Sequence, residues 1–190
     1  MSTKKIRLPF ILVLAIFLMS LQVPEGWFVA GSAPASYEMG PAFKSGMNGS
    51  NSATIRSVVD SIDGFGTLMQ TSSSEEYWGK RIRLTGYIKS LKVKDWAGLW
   101  LRVDSKEKSK PSLAFDNMSD RPIKGTSDWT KCVIVLDVPK FAGNLAYGAL
   151  LDGTGQIWFD DLKFEIVPDT TRLTGKREVI SLPRNLDFEK

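Results

Sequence analysis

From Trp27 onward, apolar and polar positions alternate in short runs separated by glycine- and serine-rich breaks. Lys80–Lys89 shows the period most plainly. Ile82, Leu84 and Ile88 fall on one face, with Arg81, Arg83, Thr85, Tyr87 and Lys89 on the other. A period of two is that of a strand with one buried face. Ala97–Asp104 repeats it, with Leu99, Leu101 and Val103 set against Trp100, Arg102 and Asp104. Trp27–Gly31, Tyr37–Gly40, Ala53–Val58 and Gly64–Gln70 read as earlier strands, and Ser112–Phe115, Cys132–Val138 and Leu145–Leu151 as later ones. The segment Gly153–Val167, GTGQIWFDDLKFEIV, closes the set: a glycine turn feeds a long strand that passes from aromatic to doubly acidic to alternating apolar. Pro41–Ser52 is a loop rich in Gly, Ser and Asn, Ser73–Glu76 an acidic turn, and Ser105–Lys110 a charged, solvated loop. No convincing amphipathic helix follows the N-terminal segment.

Joined by hairpins, these runs make eight or nine strands, which predicts an all-β, antiparallel β-sandwich of jelly-roll type. The inward residues fill the space between two sheets about 10 Å apart, so function is expected on the outward faces. A chain of 190 residues has room for one such domain with tails. The division expected is 1–25 as signal peptide or N-terminal membrane anchor, 26–167 as the sandwich, and 168–190 as a C-terminal extension.

The N-terminal expectation rests on Lys4, Lys5 and Arg7 followed by the apolar run Leu8–Val23. That run is short for a span of about 20 residues and is interrupted by Pro9, Ser20 and Gln22, so it suits an export signal better. No good cleavage site follows, which leaves an uncleaved anchor open. The domain is accordingly expected to be secreted, or held at the outer face of the cytoplasmic membrane, touching the membrane only through this segment. In the extension, Asn185–Glu189 (NLDFE) resembles the strand that opens jelly-roll binding modules, and is expected to pack beside Trp27–Gly31 as a displaced first strand.

Composition narrows the chemistry. The net charge of +4 comes mainly from the N-terminus: without Lys4, Lys5 and Arg7, the 25 basic residues fall to 22 against 21 acidic ones. The body is near neutral and carries no electrostatic footprint for nucleic acid. There is no histidine, which removes Ser-His-Asp and Cys-His nucleophilic systems and histidine-ligated zinc. The single Cys132 lies in an apolar run and reads as a buried structural thiol. A glycosidase needs two carboxylates facing each other across a sugar, and adjacent strand residues such as Asp160 and Asp161 point apart. The run Gly64–Met69 is followed by no helix or Lys-Ser/Thr and is not a phosphate loop. Asp128-Trp129 precedes a strand and reads as the anchor of a turn.

The run Trp96–Asp104, followed by Phe115–Met118, Arg121–Thr126, Asp128-Trp129 and Val135–Pro139, resembles a group of bacterial jelly-roll domains. Some members of that group are labelled transcriptional regulators. More distantly, residues 26–167 resemble the carbohydrate-binding-module and galactose-binding-like superfamily. The resemblance implies neither a catalytic activity nor an agreed ligand. It does imply a structural Ca2+ in many sugar-binding relatives, held by acids near the opening and last strands. Asp160 and Asp161 match the last-strand position, and Glu38 or Glu189 would supply the opening partner.

Sugar recognition needs aromatic faces for the apolar side of a pyranose and planar polar groups for its hydroxyls. The outward faces of two strands offer Arg83, Tyr87, Trp100, Arg102 and Asp104, with Asp116, Asn117 and Arg121 placed to close one edge. The alternative is that Arg102 and Asp104 form a cross-strand charge network beneath a covered Trp100. The reading is a non-catalytic module for a carbohydrate or glycoconjugate. The alternative is a structural or sensory module whose partner is an envelope protein.

Overall fold

The computed structural model describes residues 23–107 and 111–175. The period-two runs form nine strands: β1 (Trp27–Gly31), β2 (Tyr37–Ala42), β3 (Ser52–Ser57), β4 (Phe65–Ser73), β5 (Lys80–Ser105), β6 (Ala114–Asp116), β7 (Ile123–Val138), β8 (Ala142–Asp152) and β9 (Gln156–Val167). All their pairings are antiparallel. The hydrogen-bonded path runs β1-β4-β8-β5-β9-β3-β2, with β6 and β7 also on β5. This is the expected β-sandwich of jelly-roll type.

One strand belongs to both layers. Residues 80–91 of β5 pair with β7 and β9, whereas residues 96–105 pair with β8, and Leu101–Val103 also with β6; β7 keeps single pairings at Val93 and Ala97 across the bend. Layer A is therefore β2-β3-β9-β5-β7 and layer B is β1-β4-β8-β5-β6. The crossing lies between Ile88 and Ala97, where the register against β7 shifts three times and Lys92 takes a φ of +52°. Bulges bend and twist a strand in this way. The sequence reading of two strands, Lys80–Lys89 and Ala97–Asp104, is corrected to one bent strand of 26 residues. Asp128-Trp129 is likewise not a turn but part of β7.

The inward residues of both layers meet in one core. Ile82, Leu84 and Ile88 from layer A oppose Leu99, Leu101 and Leu151 from layer B, all at 0% exposure. Each such aliphatic side chain contributes about 1.5–3 kcal/mol through burial. Trp27 closes one end, its ring centroid 6.3 Å from that of Tyr147 and 5.8 Å from that of Phe159. Cys132 is buried in this core, as expected.

After β9 the chain runs along the open edge of β7. Thr174 N donates to Val135 O at 3.0 Å, Val135 N donates to Thr174 Oγ1 at 2.8 Å, and Arg81 Nη1 donates to the carbonyls of Asp169 and Thr171. These bonds occupy edge groups that would otherwise template pairing with another chain. Residues 1–22 of the expected leader (1–25) and the expected strand Asn185–Glu189 lie outside the described residues.

Candidate functional site

The outer face of layer B is hollow. Alternation on β5 turns Trp96, Gly98, Trp100 and Arg102 outward while Leu99, Leu101 and Val103 enter the core. Trp100 lies opposite Gly148 of β8, which lies opposite Met69 of β4. With only hydrogen at Gly148, the indole and the thioether meet across the strand. Trp100, Met69, Ala146 and Leu150 form a second buried cluster, apart from the main core, against which Ala30, Phe65 and Trp96 pack. Trp100 is 6% exposed. Its Nε1 donates to Thr67 Oγ1 at 2.8 Å, and Thr67 Oγ1 donates to Ala149 O at 2.7 Å. The ring is thereby fixed as a floor.

Above this floor lies a cleft of about 560 Å³, walled by Phe65, Trp96, Phe115 and Asn117 and ending in Arg102 and Asp152. Arg102 is oriented from its own strand. Its Nε donates to Asp104 Oδ1 at 2.6 Å and its Nη2 to Asp104 Oδ2 at 3.2 Å, while Asn144 Nδ2 donates to Asp104 Oδ2 at 2.8 Å. A half-exposed pair of this kind adds little stability. It aims the guanidinium, whose other N–H groups have no partner among the described residues. At the opposite end, burial raises the carboxyl of Asp152 above its ordinary range, and the negative charges of Asp95 and Asp63 add to the effect. The Tyr37 hydroxyl bridges the adjoining loops, donating to Gly153 O at 2.8 Å and lying 3.1 Å from Gly64 O. Burial, then Asp152 and Asp95, push its pKa up to about 12.

The structure brings together Trp100, Arg102, Asp104 and Asn117 and separates the rest. Arg83 and Tyr87 face outward from layer A, on the other side of the sandwich, because β5 changes layers between Tyr87 and Trp100. Arg83 is paired there with Glu165 at 3.2 Å. Asp116 does not edge the cleft. It shares a face of β6 with Ala114, is 3% exposed, and holds Arg121 Nη2 at 2.6 Å, which also donates to Val133 O at 2.8 Å. Asp116 and Arg121 thus staple β6 to β7 from within. Of the aromatic and charged residues lining the cleft, those absent from the expectation are Phe65, Trp96, Phe115 and Asp152. Trp96 was legible: extending the alternation of Trp100 and Arg102 back by four residues places it on the same face.

The acidic pair of β9 is differently employed. A register shift against β5 puts Asp161 at a φ of +52°, so it is not simply the opposite-facing neighbour of Asp160. Asp160 Oδ2 accepts Met47 N and Ser50 Oγ, each at 3.0 Å, and its Oδ1 accepts Asp161 N at 2.8 Å. Glu38 is paired with Arg56. Among the described residues no group of three or more His, Cys, Asp or Glu converges to hold a metal. Calcium takes six to eight oxygens. Of the expected ligands, Asp160 is engaged by N–H and O–H donors, Glu38 by Arg56, and Glu189 lies outside the described residues.

No family model matches the chain. A Bacillus subtilis (strain 168) protein described as the uncharacterized HTH-type transcriptional regulator YbfP is 41% identical over 170 residues, 87% of this chain and 57% of that protein. The chain thus spans little more than half the length of the curated relative it matches. Among solved structures, the CBM22-1–GH10 modules of Clostridium thermocellum xylanase 10B, complexed with xylohexaose, align at TM-score 0.55 and 16% identity, over 74% of this chain and 26% of that one. The CBM22-1 xylan-binding domain of Paenibacillus barcinonensis Xyn10C aligns at TM-score 0.52 and 13% identity, over 76% and 88%. A cyclase from Fischerella sp. TAU aligns at TM-score 0.57 and 14% identity, over 78% and 87%. At these identities the likeness shows the fold, which serves binding modules and enzymes alike.

Proposed function

We propose that the chain is a glycan-binding module that holds its ligand along the cleft of layer B without turning it over. The observation that carries this reading is the set of aromatic walls, Phe65, Trp96 and Phe115, over a fixed indole floor, with an oriented guanidinium at one end. The rings match the C–H faces of pyranoses, and the free N–H groups of Arg102 with Asn117 and Asp152 match their hydroxyls. Glycoside hydrolysis would canonically need two facing carboxylates, and Asp152 is the one acid among the lining residues. The fold shared with xylan-binding domains supports the choice of ligand class. The basic start and apolar run of residues 4–23 support placing the domain outside the cytoplasm.

Calorimetric titration of the purified chain with xylohexaose and a panel of neutral oligosaccharides tests the reading. Trp96→Ala and Phe115→Ala should each weaken the best ligand by about tenfold, as expected for the loss of a stacked ring. Arg83→Ala, on the other face, should leave it unchanged. A folded chain that binds no glycan in the panel would reject this function. The second reading, a sensory domain with a protein partner, is favoured by the 41% identity to a protein described as a transcriptional regulator.

A further inference from the structure

The outer face of layer A is laced with ion pairs along most of its length: Arg81–Asp137, Arg83–Glu165–Lys163 and Arg56–Glu38. One patch departs from that pattern. Lys89 of β5 lies directly opposite Trp158 of β9. On its other side Ile88 is paired with Thr130 and Ser90 with Ser127, so Lys89 faces the bulged pair Asp128-Trp129 of β7. One step along, Tyr87 lies between Lys131 and Asp160. Two rows result: Trp129–Lys89–Trp158 and Lys131–Tyr87–Asp160.

Lys89 and Lys131 are exposed, and the three rings are half-buried. Among the described residues, neither lysine has an ion pair, and the Tyr87 hydroxyl and both indole N–H groups have no hydrogen bond. The carboxylates beside them are engaged elsewhere: Asp128 Oδ1 accepts Trp129 N at 2.8 Å, and Asp160 holds the loop at Met47 and Ser50. Three half-buried rings with free polar edges, and two lysines outside any ion pair, set this patch apart from the ion-paired remainder of the sheet face.

We infer that this patch is a second glycan site, on the side of the sandwich opposite the cleft, for a carboxylate-bearing polysaccharide. Trp129 and Trp158 stand two strand spacings apart, about 10 Å, which suits sugar units two apart along one chain. Lys89 between them meets an acidic group carried by the sugar, and Lys131 beside Tyr87 meets the next. The rings select a saccharide and the ammonium groups select its charge. The site uses no residue of the cleft, so it stands or falls separately from the proposed function.

The test is affinity electrophoresis of the full chain in gels containing polygalacturonate, its fully methyl-esterified form, or dextran sulfate. Polygalacturonate should retard the chain and the neutral ester should not. Trp158→Ala and Lys89→Gln should each weaken retardation by about tenfold, while Trp96→Ala in the cleft and Lys140→Gln at the far end of the sheet stay within about twofold of the parent. Near-ultraviolet circular dichroism confirms that each variant is folded. Four results would overturn the inference: no retardation by polygalacturonate; retardation indifferent to Trp158→Ala; equal loss in Lys140→Gln with equal binding to dextran sulfate, which would be diffuse charge attraction; or loss in Trp96→Ala, which would put the polyanion in the cleft.

Discussion

Trp100 and Thr67, from strands that are not neighbours, are joined by a 2.8 Å hydrogen bond from the indole Nε1 to the hydroxyl oxygen across β8. Thr67 in turn donates to Ala149 O on the intervening strand, so one hydroxyl links three strands of layer B. Replacing it with the near-isosteric Thr67→Val strands a buried indole N–H. The expected loss is about 1–3 kcal/mol, read as a lower midpoint in urea with an unchanged slope. Trp100→Phe in the Thr67→Val background should cost less than the sum of the two single changes.

Asp116 and Arg121 form the most buried ion pair among the described residues, at 2.6 Å with the carboxylate side chain 2% exposed. Breaking such a pair costs more than the pair itself contributes, because a buried charge is left uncompensated. Arg121→Ala should therefore destabilise by about 3 kcal/mol. Asp116→Asn, which leaves the half-exposed guanidinium free to reach water, should cost less. Equal losses in thermal unfolding would contradict the account.

Asp152 links stability to pH. Burial, then Asp95 and Asp63, raise its folded pKa above the unfolded value of 3.8. A raised carboxyl binds its proton more tightly in the folded state, so its contribution is fully present below pH 3.8 and is lost as pH rises through the folded pKa. At pH 7 the charged form is a net strain. Asp152→Asn should accordingly raise the melting temperature at pH 7, and the gain should shrink as the pH approaches 4.

Cys132 carries a thiol pushed up to about 12 by burial, with Arg121 acting in the other direction. The folded chain should not react with a thiol-specific disulfide reagent at pH 8, and should react stoichiometrically once unfolded. The unfolded thiol, with a pKa of 9.0, ionises first on the alkaline side. Its contribution to stability is therefore present below pH 9 and lost as pH rises toward 12. A Cys132→Ala variant should flatten that part of the profile.

Alternation along the chain was enough to identify an antiparallel sandwich, the buried faces of its strands, and three of the residues around the cleft: Trp100, Arg102 and Asp104. It could do so because each of these facts depends on which neighbours along one strand share a face, and that is set by the backbone period alone. What alternation cannot carry is the layer a strand enters. Tyr87 and Trp100 have the same outward orientation on β5, yet three register shifts between Ile88 and Ala97 deliver them to opposite sides of the molecule. Asp116 reads in sequence like any polar loop residue. Its place on the face of β6 that carries Ala114, and its ion pair with Arg121, exist only because β6 closes onto β5. The walls of the cleft, Phe65 on β4, Trp96 on β5 and Phe115 on β6, come from three strands dispersed over some fifty residues. Their convergence follows from strand pairing, a long-range property that no local pattern encodes.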